Sequence, residues 1–208
     1  MYRIKTQALA ALYAAMAAKN DLFLPVKAAG KTNFALWQPD ADVDIRTLKT
    51  VYTCERTDGK LAVEPQTLRE KPFVVFGIRA CDVRGVAVLD KVFLSQPVDT
   101  YYAARRERGV LVSLACSRPE TSCFCGTFGI DCAAPEGDVT AWLAGEYLYW
   151  QPRTEKGTAL TGQVESLLEP WDDAPVAAEQ ATIRDICRKL PLKDLSLANW
   201  GADAAQRN

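Results

Sequence analysis

The 208-residue sequence contains no histidine. That absence removes imidazole as a metal ligand and as the usual general base, and with it every Ser-His-Asp or Cys-His arrangement. Neither charge is in excess. With 25 Lys and Arg against 26 Asp and Glu, the chain lacks the basic footprint of a nucleic-acid binder or a polybasic membrane anchor. No apolar run approaches the roughly eighteen residues that span a bilayer. Internal repeats and low-complexity tracts are absent, and Gly77-Ile-Arg-Ala-Cys81 lacks the glycine-rich pattern that holds a dinucleotide phosphate. There is no C-x-x-C pair and no thioredoxin pattern, which argues against a thiol–disulfide enzyme. The N-terminal MYRIKTQALAALYAAMAAKNDLF has two early basic residues and an Ala-rich stretch, as a signal peptide does. Lys19, Asn20 and Asp21 end it with no long apolar core or cleavage site, so it reads as a helix and the expectation is a cytoplasmic protein without membrane insertion.

What is present points to one domain of mixed α/β class, a small sheet with an appended tail. Leu9, Leu12, Tyr13 and Met16 recur at helical spacing between Thr6 and Ala18, so a helix opens the domain. LFLPVKA and FALWQP, separated by AGKTN, predict a hairpin. Residues 40–70 read as polar and irregular, with a strand at Thr50–Cys54 and a turn at Asp58-Gly59. Phe73–Ile78 is a continuous apolar run, a strand buried on both faces. Val83–Leu94 carries a helical period closed by Pro97, and Val110–Ala115 is a second buried strand. Strand, helix and strand predict a parallel crossover unit that sets Cys81 and Cys116 just past the C-terminal strand ends, where open α/β sheets place functional groups. Glu146–Pro152 reads as a further strand, Thr158–Leu168 and Ala181–Lys189 as helices, and the final ADAAQRN as frayed.

The chain has seven cysteines. In a reducing compartment they argue for metal ligation or redox work over a disulfide framework. Four of them, Cys116, Cys123, Cys125 and Cys132, crowd into LACSRPETSCFCGTFGIDC, as a soft metal centre requires. The spacing C-x6-C-x-C-x6-C is neither the paired knuckles of a zinc finger nor a common ferredoxin pattern. In an extended C-x-C segment both thiols point one way, so Cys123 and Cys125 can share a centre while Phe124 points aside. Gly126 and Gly129 give the loop backbone freedom, and Pro119 stiffens it. Proximity favours Cys132 as a fourth ligand, and the strand-end geometry favours Cys81. Isolated Cys54 and Cys187 read as ordinary buried thiols. Arg79, Asp82 and Arg84 flank Cys81 either as groups near the centre or as a plain helix start with Asp82 at the positive end of the dipole. Arg105, Arg106 and Arg108 read as a solvated basic face. Trp142, Tyr147, Tyr149 and Trp150 follow the loop, as aromatic cover for the centre or as core.

The stretches FGIRACDVRGVAVLDKVF, DTYYAARRERGVLVSLACSRPETSCFCGTFGID and GDVTAWLAGEYLYWQPRTEKGTALT resemble the N-terminal region of the iron–sulfur subunits of cytoplasmic sulfhydrogenases (the beta subunit) and of anaerobic sulfite reductase. The similarity covers roughly residues 5 to 170. It implies a cluster-binding domain at residues 1–170, with 171–208 as a C-terminal extension or docking tail. The family's R-x-CD cysteine joins its C-x6-C-x-C triplet, which implies one 4Fe-4S cluster on Cys81, Cys116, Cys123 and Cys125 and leaves Cys132 a spare thiol. The implied function is electron transfer without catalysis of its own, relaying single electrons between flavin-containing or ferredoxin-like partners, hydrogenase among them, in an anaerobic oxidoreductase complex. The alternative is a structural zinc-binding or scaffold component of such a complex. Relatives usually continue into a ferredoxin-like module with two more cluster motifs. Here only Cys187 follows the site, so a naturally short or truncated form with a single cluster is expected.

Overall fold

The structure is a computed structural model that describes residues 1–28, 31–38, 52–57, 60–65 and 71–197. The chain opens with a strand, β1 (Tyr2–Lys5), before the expected helix, α1 (Leu9–Lys19). β1 has too few residues for its alternation to register in the sequence, and it is recruited by pairing with strands far along the chain. The predicted hairpin forms as β2 (Asp21–Ala28) and β3 (Lys31–Leu36). The segment read as irregular contributes β4 (Tyr52–Thr57) and β5 (Lys60–Pro65), a separate two-stranded sheet. The turn expected at Asp58-Gly59, residues 40–51 and the tail from 198 lie outside the described residues.

Next come β6 (Phe73–Ile78), α2 (Ala80–Phe93), α3 (Thr100–Arg108) and β7 (Gly109–Leu114). The crossover thus holds two helices, not one. α3 has no fully buried residue, so it carries no apolar stripe to read; its signal is the cap, where the Asp99 carboxylate accepts the Tyr102 N–H at 2.9 Å. Two arginines of the run on α3, Arg105 and Arg106, are engaged with neighbouring side chains and not simply solvated. Arg106 Nε donates to both Asp90 oxygens at 3.1 Å, and the Arg105 guanidinium lies 4.2 Å from the centre of the Phe73 ring.

β8 (Val139–Ala144), β9 (Tyr147–Pro152), α4 (Glu155–Val164), the short β10 (Glu169–Pro170) and α5 (Ala174–Arg188) follow. The strands of the described residues include an eight-stranded sheet ordered β10-β1-β9-β8-β7-β6-β2-β3, wider than the sequence implied. β2, β6, β7 and β8 run parallel at its centre. Helices cover both faces, the layering that parallel sheets need. On one face Leu12 and Met16 of α1 and Leu160 and Val164 of α4 interlock with Val74, Phe76, Val112, Val139 and Trp150, each such burial contributing about 1.5–3 kcal/mol. On the other, Val83 of α2 meets Ile78 and Leu111, while Val176 and Ile183 of α5 meet Trp142 and Tyr149.

Gly77 marks where β6 changes face. Its φ is +86°, and the pairing of β6 with β7 slips between Phe76 and Ile78. The irregularity lets Phe76 pack under α1 and Ile78 under α2, re-aiming the strand end that leads to Cys81. Among the described residues no helix is long and apolar enough to cross a membrane.

Candidate metal centre

The β6–α2 junction is held by one side chain. Arg79 Nη1 donates to the carbonyl oxygens of Ala115 at 2.8 Å and Leu114 at 3.4 Å, tying the end of β6 to the end of β7. Its own N–H donates to Asp82 Oδ2 at 3.4 Å, so Asp82 caps α2 from the first turn, where its charge suits the helix dipole. Arg79 thus sets the entry to Cys81 beside the entry to Cys116, while Arg84 faces a smaller neighbouring cavity with Gly129 and Glu136.

The connection from β7 to the parallel β8 contains no α-helix. Residues 115–138 form instead a coil with a single 3-10 turn, Cys125–Phe128, closed by Gly129 at φ +63°. A parallel crossover is ordinarily helical, and a coil of this length is uncommon inside a compact sheet domain. Its far end is anchored firmly. Cys116 N–H donates to Cys132 O at 3.0 Å, Trp142 Nε1 to Ala133 O at 2.7 Å, and the buried Asp138 carboxylate accepts Leu111 N–H at 2.8 Å and Thr154 Oγ1–H at 2.7 Å.

Strand ends, loop and α5 together wall a cavity of about 550 Å³. Cys81, Cys116, Cys123 and Cys125 line it, and so do Cys132 and Cys187. The sequence reading of Cys187 as an isolated buried thiol is therefore corrected: α5 brings it into the same cavity, its Sγ 2.7 Å from that of Cys132. Its only sequence signal was its place three residues past Arg184 and four past Ile183 on an amphipathic helix. The side chain of Cys54 lies outside the described residues. The aromatics also resolve: none of Trp142, Tyr147, Tyr149 and Trp150 lines the cavity. Trp142 anchors the loop from beneath, and Trp150 packs on the opposite face of the sheet with Phe76 and donates to Thr161 Oγ1 at 2.8 Å.

Electrostatics follow from the crowding. Desolvation pushes the thiols of half-buried Cys116 and Cys187 above their usual range, and that of Cys81 as well, although Cys81 as a residue is exposed. Cys125 is pushed up to about 11 by burial and then by the charges of Cys81 and Cys132, and Cys132 to about 12 by burial and its bond with Cys187. Thiolates gathered here need a compensating cation, which is what a metal centre supplies. Arg79, Arg118, Arg184, Arg188 and Lys193 outnumber Glu120, Asp131 and Asp194 around the cavity, a lining suited to an anionic group. Among the described residues no group of three or more His, Cys, Asp and Glu is placed to hold a metal ion. The donor type the cavity gathers, cysteine thiol, is the one an iron–sulfur cluster would take.

Over 67 residues the chain is 43% identical to the sulfhydrogenase 2 subunit beta of Pyrococcus furiosus, a stretch that is 32% of this chain and 20% of that protein. The chain is thus similar, locally, to a sulfhydrogenase beta subunit and spans a fifth of the relative it matches. No protein-family model matches the chain, and no solved structure matches it.

Proposed function

We propose that this chain is an electron-transfer subunit of a hydrogenase-type oxidoreductase complex, carrying one 4Fe-4S cluster on Cys81, Cys116, Cys123 and Cys125. The observation that carries the reading is the cavity at the parallel strand ends, lined by those four thiols and a mainly cationic rim. Local identity to a sulfhydrogenase beta subunit supports it. When bound, the cluster supplies one-electron chemistry, while the protein supplies ligands, burial and hydrogen bonds. Arg79 holds the Cys81 and Cys116 entries together, and the rim cations favour an anionic cluster. Phe124, which is among the residues lining the cavity, and Phe128 are 42% and 51% exposed, with ring centres 5.8 Å apart. Exposed aromatics beside a redox group suit a surface from which a docked partner excludes water. Partners of this reading are flavin-containing or ferredoxin-like subunits and a hydrogenase, in the cytoplasm.

Anaerobic purification tests the assignment. The expected outcome is a brown protein with about four irons and four sulfides per chain and an electron paramagnetic resonance signal on reduction. Cys81→Ser and Cys123→Ser should each lose the iron, and Cys132→Ser should keep it. A colourless preparation with about one zinc per chain, or full iron retention in Cys123→Ser, overturns the reading.

A further inference from the structure

We propose that Cys132 and Cys187 form a redox-active dithiol beside the metal centre, oxidised to an intramolecular disulfide by low-molecular-weight disulfides of the glutathione class. The pair takes the two cavity cysteines that the four-ligand assignment leaves over, and to that extent rests on it. Their sulfurs stand 2.7 Å apart although 55 positions separate them in the sequence, a little beyond the ~2.05 Å of a disulfide bond.

The contact belongs to a ladder that sets α5 against the loop. Ile183, 1% exposed, packs with Ala133 and Trp142. Next to it, Arg184 donates to Asp131 Oδ2 from Nη2 at 2.7 Å and from Nε at 3.2 Å. Cys187 stands one helical turn past Arg184 on the same side, and it meets the residue next to Asp131. An ion pair at 131 and 184 and a thiol contact at 132 and 187 are thus adjacent rungs. The loop side is equally held, since the Cys132 carbonyl accepts from Cys116 N–H and the Ala133 carbonyl from Trp142 Nε1. Two thiols held from both sides with their sulfurs already 2.7 Å apart have little distance to close to form the bond.

Exposure assigns the roles. Cys187 is half-buried on the cavity wall, whereas Cys132 is 6% exposed. The Cys187 thiolate attacks one sulfur of R–S–S–R, forming Cys187–S–S–R and expelling RS⁻. The Cys132 sulfur then attacks Cys187 Sγ, closing the protein disulfide and expelling the second RS⁻. The protons of the two protein thiols end on the two leaving groups. Net, the protein loses two electrons and two protons, and the external disulfide becomes two RSH. Oxidation ties the last turn of α5 to the loop, and with it the cavity wall that continues through Leu190 and Lys193. Reduction frees it.

The experiment equilibrates the anaerobically purified full chain in buffers of oxidised and reduced glutathione, traps free thiols with N-ethylmaleimide in acid, and maps linked peptides by mass spectrometry. A Cys132–Cys187 peptide that rises with the oxidised fraction and disappears on return to reduced glutathione is expected. Cys132→Ser and Cys187→Ser should lose it while keeping the iron content of the parent. An iron-loaded protein that forms no such peptide at any glutathione ratio overturns the proposal, as does loss of iron in either serine variant. Formation of the peptide in a protein that binds no iron would uphold the dithiol and sink the cluster assignment, so the two readings fail separately.

Discussion

Arg79 shows how one residue joins two strand ends that the sequence holds apart. Its guanidinium accepts no hydrogen bond and donates several, so it can bridge from the first turn of α2 to the Leu114 and Ala115 carbonyls while its N–H meets Asp82. The helix-start reading of the R-x-CD segment is borne out by these contacts, and under the cluster reading the same residues would hold the Cys81 and Cys116 entries together. Tyr102 is a second case. Its hydroxyl donates to Asp90 Oδ1 at 2.6 Å, and burial, then that bond, raises the phenol to about 12. The folded value lies above the ordinary ~10, so the stabilisation is complete below pH ~10 and is lost as pH rises through about 12. Urea unfolding at a series of alkaline pH values should show stability falling across that window. Tyr102→Phe should flatten that part of the curve, and an identical slope in the variant would exclude Tyr102 as its source.

Elements were legible where their own pattern carried them. α1, β6, β7 and β9 have apolar patterns that match their burial, the β2–β3 hairpin forms from the two β-prone runs, and α4 and α5 needed only earlier starts, supplied by the Thr154 cap and by Pro175 in the first turn. β1, α3 and β8 were missed for physical reasons. β1 is short, α3 is held by polar contacts to α2, and Val139–Ala144 is a brief apolar run whose place in the sheet is set by pairing with β7 and β9. α4 offers a sharp test of how an element fits its site. A Cβ on Gly157 would overlap the backbone oxygen of Asp138, whereas one on Gly162 meets nothing within 4 Å. Gly157→Ala should destabilise the fold by about 3 kcal/mol, because it forces α4 off the residue that anchors the cysteine loop. Gly162→Ala should stabilise it by roughly 0.5–1 kcal/mol. Denaturant midpoints of the two variants measure this, and equal signs would contradict the packing described.

At the scale of the molecule, an eight-stranded sheet covered on both faces carries, among the described residues, a long loop that owes little of its order to regular hydrogen bonding. Under the cluster reading, removal of iron by a chelator should raise amide exchange in residues 117–131 by about tenfold or more, that is ~1.4 kcal/mol of lost local stability. β6, β7 and β8 should stay protected. Uniform exchange across loop and strands would mean that iron holds the whole fold, not the loop. The sequence by itself determined the mixed α/β class, the parallel pair β6 and β7, and a crowd of thiols at their C-terminal ends. These follow from local chemistry, since apolar periodicity and cysteine spacing are properties of contiguous residues. Only the tertiary structure decided that the sheet is wide, that Arg105 and Arg106 of α3 brace against Phe73 and Asp90, and that Cys187 stands against Cys132. That last contact depends on Val176 and Ile183 seating α5 on Trp142 and Tyr149, and a packing register between distant segments leaves no periodic mark in either of them.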